Sequence, residues 1–198
     1  MRTIGKLPRA GKRECGFTLL EVLISIAVLT IGLVGLLGVM GMAMAATQSA
    51  EQVNIAKRLA NEAIESILTA RETSNVDWAQ IANGNCAIGG ACGVFLPGPQ
   101  PINLPGVDGV VGTSDDAAAG PQILDLPGSS GIVLTPPGQP CAAPDVCQSL
   151  ANYTRTIAIA PFGTDTNLNQ VTITITYTNP QFKVPQNYVL TTYISQYR

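Results

Sequence analysis

The sequence predicts an α+β protein in which one long N-terminal helix packs on an antiparallel β-sheet. An apolar run followed by an amphipathic pattern indicates a helix from about residue 18 to residue 72. Apolar and polar residues then alternate in several segments between residues 154 and 195. This alternation indicates strands with one buried face and one solvated face, which is typical of an antiparallel sheet.

The composition excludes several classes of function. Of 198 residues, 46% are hydrophobic, only 12% are charged and none is histidine, whereas roughly 25% of residues are charged in a typical soluble domain. The absence of histidine excludes a Ser-His-Asp triad and every zinc site that contains histidine. The formal net charge of −2 and the few aromatic residues argue against a nucleic-acid partner. We therefore expect a non-enzymatic protein without an organic cofactor.

The charges are unevenly distributed along the chain. Residues 1–16 carry five basic residues and one acidic residue, and no charge occurs in the 29 residues between Glu21 and Glu51. A helix of this length spans a hydrocarbon core of about 30 Å. The basic flank predicts a cytoplasmic N-terminus, with the later residues across the membrane. A cleaved secretory signal is the alternative, but the apolar region of such a signal has only about 7 to 15 residues and is shorter than the uncharged run of this chain.

A short motif links the basic leader to the apolar run: Gly16-Phe17-Thr18-Leu19-Leu20-Glu21-Val22-Leu23. A carboxylate at Glu21 is costly inside a bilayer, although the helix dipole favours an acid in the first turn. The motif resembles the processing signal of type IV prepilins. This resemblance implies that prepilin peptidase cleaves the Gly16–Phe17 bond and that an N-methyltransferase activity methylates Phe17. It also implies that Glu21 pairs with the new α-ammonium group of a neighbouring subunit and so sets the register of assembly.

The resemblance implies four regions. Residues 1–16 form a leader that is removed, and residues 17–46 form a transmembrane helix that becomes the core of a filament. Residues 47–76 continue this helix in amphipathic form, and residues 77–198 form a periplasmic head. The implied partners are other pilin subunits, prepilin peptidase and an inner-membrane assembly platform. The implied location is the bacterial inner membrane and then the pilus fibre at the cell surface.

Within the family, residues 31–38 resemble minor pilins of the PilV kind most closely. Pseudopilins of type II secretion share the Leu-Leu-Glu-Val-Leu opening and remain an alternative. A membrane-anchored periplasmic enzyme or binding domain is the alternative from another class.

The amphipathic part of the helix, from residue 47 to residue 72, has one apolar stripe that we expect to carry the head. The members of this stripe are Val53, Ala56, Ala60, Ala63, Ile64, Ile67 and Leu68. On the opposite face, the spacing of Arg58 and Glu62 predicts an ion pair.

Residues 84–147 form a loop region with 12 glycines and 10 prolines, so its regular structure must be short. The cysteines of this region, Cys86, Cys92, Cys141 and Cys147, favour two local disulfides, 86–92 and 141–147. Cross-pairing between the two clusters remains open, and a zinc site of four cysteines is disfavoured by the spacing.

Three carboxylates, those of Asp108, Asp115 and Asp116, lie within nine residues of the same region together with glycines and hydroxyl groups. Their oxygens are suitable ligands for calcium, although the spacing does not match an EF-hand loop. An acidic solvated turn is the alternative.

Three strands are predicted after the loop region, at residues 154–160, 171–177 and 188–195, and a fourth at residues 131–135. In the second of these strands one face consists of Val171, Ile173, Ile175 and Tyr177. We expect this face to pack on the apolar stripe of the helix.

Overall fold

A computed structural model describes residues 16–126, 146–178 and 183–197 of the chain. It confirms the predicted α+β class: a long N-terminal helix and an antiparallel sheet of four strands form a pilin-like architecture. The chain forms two compact units, Met1–Ala46 and Thr47–Arg198.

Helix α1, Leu19–Glu72, contains 54 residues. The backbone N–H of Glu21 donates to the Thr18 hydroxyl oxygen at 3.3 Å, so Thr18 satisfies one of the free donors at the helix start. The helix ends where Ser74 adopts a left-handed conformation with φ of 57°. The Asn75 and Val76 amides then donate to the Ala70 carbonyl.

In the first unit, residues 19–46 of α1 expose almost all of their apolar side chains. Among the described residues, one helix, α1, is long and apolar enough to cross a membrane. Its most apolar window has a mean hydropathy of 2.7.

In the second unit, four antiparallel strands form a sheet. Strand β4 (Tyr153–Phe162) joins β5 (Asp165–Thr178) through a tight turn at Gly163, whose φ is 63°. Strand β6 (Pro185–Ser195) pairs with β5 at one edge of the described sheet, and the short β1 (Gln100–Pro101) pairs with β4 at the other. A separate two-stranded sheet joins β2 (Ile123–Leu126) and β3 (Val146–Ser149). A four-residue helix, α2 (Asp116–Ala119), and a 3₁₀ turn at Trp78–Gln80 complete the described elements.

The core of the second unit lies between the 47–72 part of α1 and the inner face of the sheet. The predicted inner face of β5 is confirmed, because all four of its members are buried: Val171, Ile173, Ile175 and Tyr177. Each of these residues belongs to one core cluster that also contains the buried residues of α1.

Two details of the sequence prediction were wrong. The buried stripe of α1 is rotated toward Ile55 and Leu59, while Val53 is 39% exposed. Arg58 and Glu62 do not form an ion pair, and Glu62 instead accepts hydrogen bonds from the Gln122 side chain. The predicted strand at residues 131–135 lies outside the described residues and stays a prediction; in the described sheet the fourth strand is β1.

Candidate functional site

The predicted processing site lies immediately before α1. Gly16 and Phe17 have no regular secondary structure, and the Phe17 side chain is 80% exposed. A Cβ atom added at Gly16 would meet no other atom within 4 Å. Among the described residues, no side chain therefore covers the Gly16–Phe17 peptide bond.

Glu21 lies in the first turn of α1 with an exposed side chain. Within residues 16–126, 146–178 and 183–197 of one chain, its carboxylate has no hydrogen-bond or ion-pair partner. Only its backbone is engaged: the amide contacts Thr18, and the carbonyl accepts the Ser25 hydroxyl at 2.7 Å. The carboxylate is thus available to a group from another molecule, as a counter-ion role requires.

The disulfide between Cys86 and Cys92 closes a small loop over Gln80. Gln80 is buried, donates to the Gly90 carbonyl at 2.9 Å and accepts from the Gly89 amide at 3.1 Å. Cys147 is also disulfide-bonded, and its predicted partner, Cys141, lies outside the described residues.

The fold brings Asp108, Asp115 and Asp116 together, with one carboxylate oxygen of each within 4.8 Å of the others. Their main role in the described chain is to organise the loop. Asp116 accepts from the Gly106 amide at 3.0 Å and from the Gly112 amide at 2.6 Å, and Asp108 accepts from its own loop at 2.7 Å. Calcium binding by this loop stays a prediction. A melting temperature of the protein that does not change when calcium is added would contradict it.

Burial raises the pKa of Asp116 to about 6, and the two amide donors and the Arg155 guanidinium oppose this rise. Burial also raises the pKa of Asp108. At Asp115 burial acts in the same direction, but hydrogen bonds from the Thr113 hydroxyl and from the backbone prevail, so that its pKa is lowered. The three carboxylates therefore differ in pKa although they are neighbours.

Arg155 is a buried charge that we did not single out from the sequence. It is 2% exposed, and among the described residues its Nη1 atom has no hydrogen-bond partner. Burial lowers its pKa against the attraction of Glu62 and Asp116. The sequence pattern could have predicted this burial, because Arg155 occupies an inward position in the alternation Tyr153, Arg155, Ile157. Its charge lies close enough to Asp116 to offset part of the charge of the acidic loop, which makes that loop less attractive to a cation.

Comparison with known proteins gives one match. Residues 11–37 match the family model described as the prokaryotic N-terminal methylation motif. No curated protein and no solved structure matches the chain. The match contains Gly16, Phe17 and Glu21, and it supports a type IV pilin-like or pseudopilin protein that prepilin peptidase processes.

Proposed function

We propose that the protein is a structural minor pilin, which is processed at its N-terminus and assembled through α1 into a type IV pilus. The observation that carries this proposal is the methylation motif at residues 11–37. Prepilin peptidase cleaves between Gly16 and Phe17, and the new N-terminus of Phe17 is methylated. The apolar part of α1 first anchors the subunit in the inner membrane and then passes into the fibre through the assembly platform.

The chemistry of the mature N-terminus supports this role for Glu21. An α-amino group has a pKa of about 7.7 to 8 and is largely protonated near neutral pH, so cleavage creates a cation that needs a counter-ion in an apolar environment. The Glu21 carboxylate is exposed in one chain and can pair with the Phe17 ammonium of a neighbour. Such a pair fixes register more than it adds stability, because desolvation offsets much of the attraction.

Mass analysis of the mature protein tests the processing step. We expect the purified protein to begin with N-methyl-phenylalanine at Phe17 in a host that contains prepilin peptidase. An unmethylated chain that still begins before Gly16 would contradict the proposal and would favour a membrane-anchored periplasmic domain of another class.

Replacement of Glu21 by alanine or leucine tests the assembly step. We expect normal processing but on the order of tenfold less incorporation into fibres, because the variant leaves the α-ammonium group of the neighbour without a counter-ion in an apolar environment. A factor of ten corresponds to about 1.4 kcal/mol. Glu51→Ala is a matched control, since Glu51 is also an exposed glutamate of α1 but lies beyond the uncharged run. Equal incorporation of the processed Glu21 and Glu51 variants would show that Glu21 does not set the register.

A pseudopilin of type II secretion is the second candidate, since the same motif supports it. Deletion of the gene separates the two. A pilus subunit affects fibres and leaves exoprotein secretion intact, whereas a pseudopilin has the opposite effect.

A further inference from the structure

The outer face of the four-stranded sheet, opposite the core, carries no charged side chain where β4, β5 and β6 pair. It consists of the alternate residues of β4 from Thr154 to Ala160, of β5 from Gln170 to Thr176 and of β6 from Asn187 to Tyr193. These residues lie in four rows of three across the strands, none of them is buried, and six of them are threonine. We call this surface the outer sheet face.

The polar side chains of the outer sheet face bond to one another and keep further hydrogen-bonding capacity. The Thr172 and Thr191 hydroxyl oxygens lie 3.4 Å apart, and the Thr176 hydroxyl donates to the Asn187 Oδ1 atom at 2.8 Å. A hydroxyl has one donor and two acceptor sites, and a side-chain amide also has both kinds. The face therefore offers donors and acceptors together to the solvent, without any charge.

A pair of exposed aromatic rings lies at one end of this face. The rings of Phe162 and Tyr193 are 4.9 Å apart between centroids and meet edge to face at 79°. They are 47% and 53% exposed. In such a pair one ring contacts its partner through its edge, so its faces remain open to another group. Tyr193 shares its row with Gln170 and with the small side chain of Ala160, so that an aromatic ring lies beside an amide.

This chemistry disfavours charged partners and ordinary protein partners. A nucleic acid or a charged polymer needs counter-charges on the protein, and the outer sheet face has none. Protein interfaces depend mainly on tryptophan, tyrosine and arginine, whereas threonine and valine are under-represented among their energetically important residues. A surface that is half threonine does not fit that pattern.

An extended neutral polysaccharide has the complementary chemistry. A β-linked glucan is a flat and uncharged ribbon, with hydroxyl groups along its edges and C–H groups on its faces. Its hydroxyl groups both donate and accept, as do the threonine hydroxyls and the amides of the outer sheet face. Its C–H groups can pack on an aromatic ring, where many small dispersion contacts add up. No charge has to be removed from water on either side.

We propose that the outer sheet face binds an extended, neutral β-linked polysaccharide. One sugar ring packs on the Phe162–Tyr193 pair, and the hydroxyl groups of the next sugars bond to Gln170 and to the threonine rows. This inference goes beyond the proposed function and does not depend on the N-terminal motif. A flat face encloses little of its ligand, so we expect weak binding to one sugar chain and stronger retention on a polymer surface that offers many sites.

Retention of the full-length protein on microcrystalline cellulose tests the ligand class. The protein is kept in a polyoxyethylene detergent, which contains no sugar, and alginate-coated beads provide an anionic polysaccharide for comparison. We expect about tenfold more protein on cellulose than on alginate, because only the neutral polymer matches an uncharged face. Equal retention on both materials, or preference for alginate, would overturn the proposal.

Replacement of Tyr193 tests the aromatic contact. We expect Tyr193→Ala to lower retention on cellulose about tenfold and Tyr193→Phe to preserve most of it, because phenylalanine keeps the ring. Tyr197→Ala is the matched control, since Tyr197 is 72% exposed but lies beyond the end of β6. All variants are compared at equal melting temperature. Equal retention of Y193A and Y197A would overturn the proposal.

Charges placed on the face distinguish a neutral ligand from a charged one. We expect Thr174→Lys and Thr174→Asp both to weaken binding to cellulose, because a neutral polymer can pair with neither charge. The same two changes at Asn54, an exposed residue of α1, are the controls and should have no effect. Stronger binding of either Thr174 variant, or losses equal to those at Asn54, would overturn the proposal. Methylation of Phe17 is measured in each variant, so that a failure of this inference is separate from a failure of the proposed function.

Discussion

At the scale of single residues, the second unit depends on a few buried or half-buried polar groups with specific partners. Asp116 accepts from the amides of Gly106 and Gly112, and so links the residues before the acidic loop to the loop itself. Asn83 accepts from the Ile159 amide at 2.8 Å and donates to the Ile157 carbonyl at 2.7 Å. The two Asn83 contacts attach its loop segment to β4.

The raised pKa of Asp116 predicts a pH-dependent stability. An unfolded aspartate titrates near 3.8, whereas Asp116 in the fold has a pKa of about 6. The stability associated with its protonated form is present below pH 3.8 and is lost as the pH rises through 6. Allowing for solvent screening, we expect a loss on the order of 1–2 kcal/mol from this residue.

Urea unfolding at pH 4.5 and pH 7 measures this effect, with the fluorescence of the single tryptophan, Trp78, as the signal. We expect Asp116→Asn to be less stable than the wild type at both pH values, because asparagine cannot accept from both glycine amides. Its own change between the two pH values should be smaller. An unaltered pH dependence in the variant would show that Asp116 is not the titrating group.

At the scale of elements, the core between α1 and the inner face of the sheet stabilises the second unit. Strand β5 pairs with β4 and β6 along its length and directs its apolar residues at α1.

We expect Ile173→Ala to lower the free energy of unfolding by about 2–5 kcal/mol, because Ile173 is fully buried. Thr174→Ala, on the opposite face, should cost less than about 1 kcal/mol. The two variants are compared by urea midpoint, and similar losses would contradict the assignment of faces.

Local patterns were sufficient for α1 and for the three long strands, because a period of 3.6 or 2 is readable in one sequence. These patterns did not show which side of the apolar stripe of α1, around Ala56 and Ala60, is buried. Val53 and Leu59 flank Ala56 and Ala60 on opposite sides, and only contact with the sheet decides in favour of Leu59. Strand β1 was missed because two residues, one of them proline, carry no periodicity.

The candidate sites also differ in how much of each is predictable from the sequence alone. The N-terminal motif is contiguous and is readable from its letters. The interaction of Asp116 with the buried Arg155 joins a loop to strand β4, and these residues are far apart in the sequence. No pattern within a short segment predicts which side chain of another segment will lie beside it.

At the scale of the whole molecule, the division into Met1–Ala46 and Thr47–Arg198 predicts that the second unit folds alone. Its core cluster contains no residue before Ile55. We expect a fragment of residues 47–198, secreted to an oxidising compartment, to unfold cooperatively with the Cys86–Cys92 disulfide intact. Loss of near-ultraviolet circular dichroism or non-cooperative melting of this fragment would show that it needs the first unit.

The edge position of β6 has a consequence for such a released unit. Its eleven residues, Pro185–Ser195, include no charged side chain, and Val189 and Tyr193 are exposed. Among the described residues no strand pairs with the outer side of β6, and a long uncharged edge offers N–H and C=O groups to any extended polypeptide, whereas natural sheets usually guard such edges with lysine or a bulge. Removal of the apolar anchor therefore does not by itself make the protein well behaved in solution: we expect strand-to-strand association along β6 to limit its concentration.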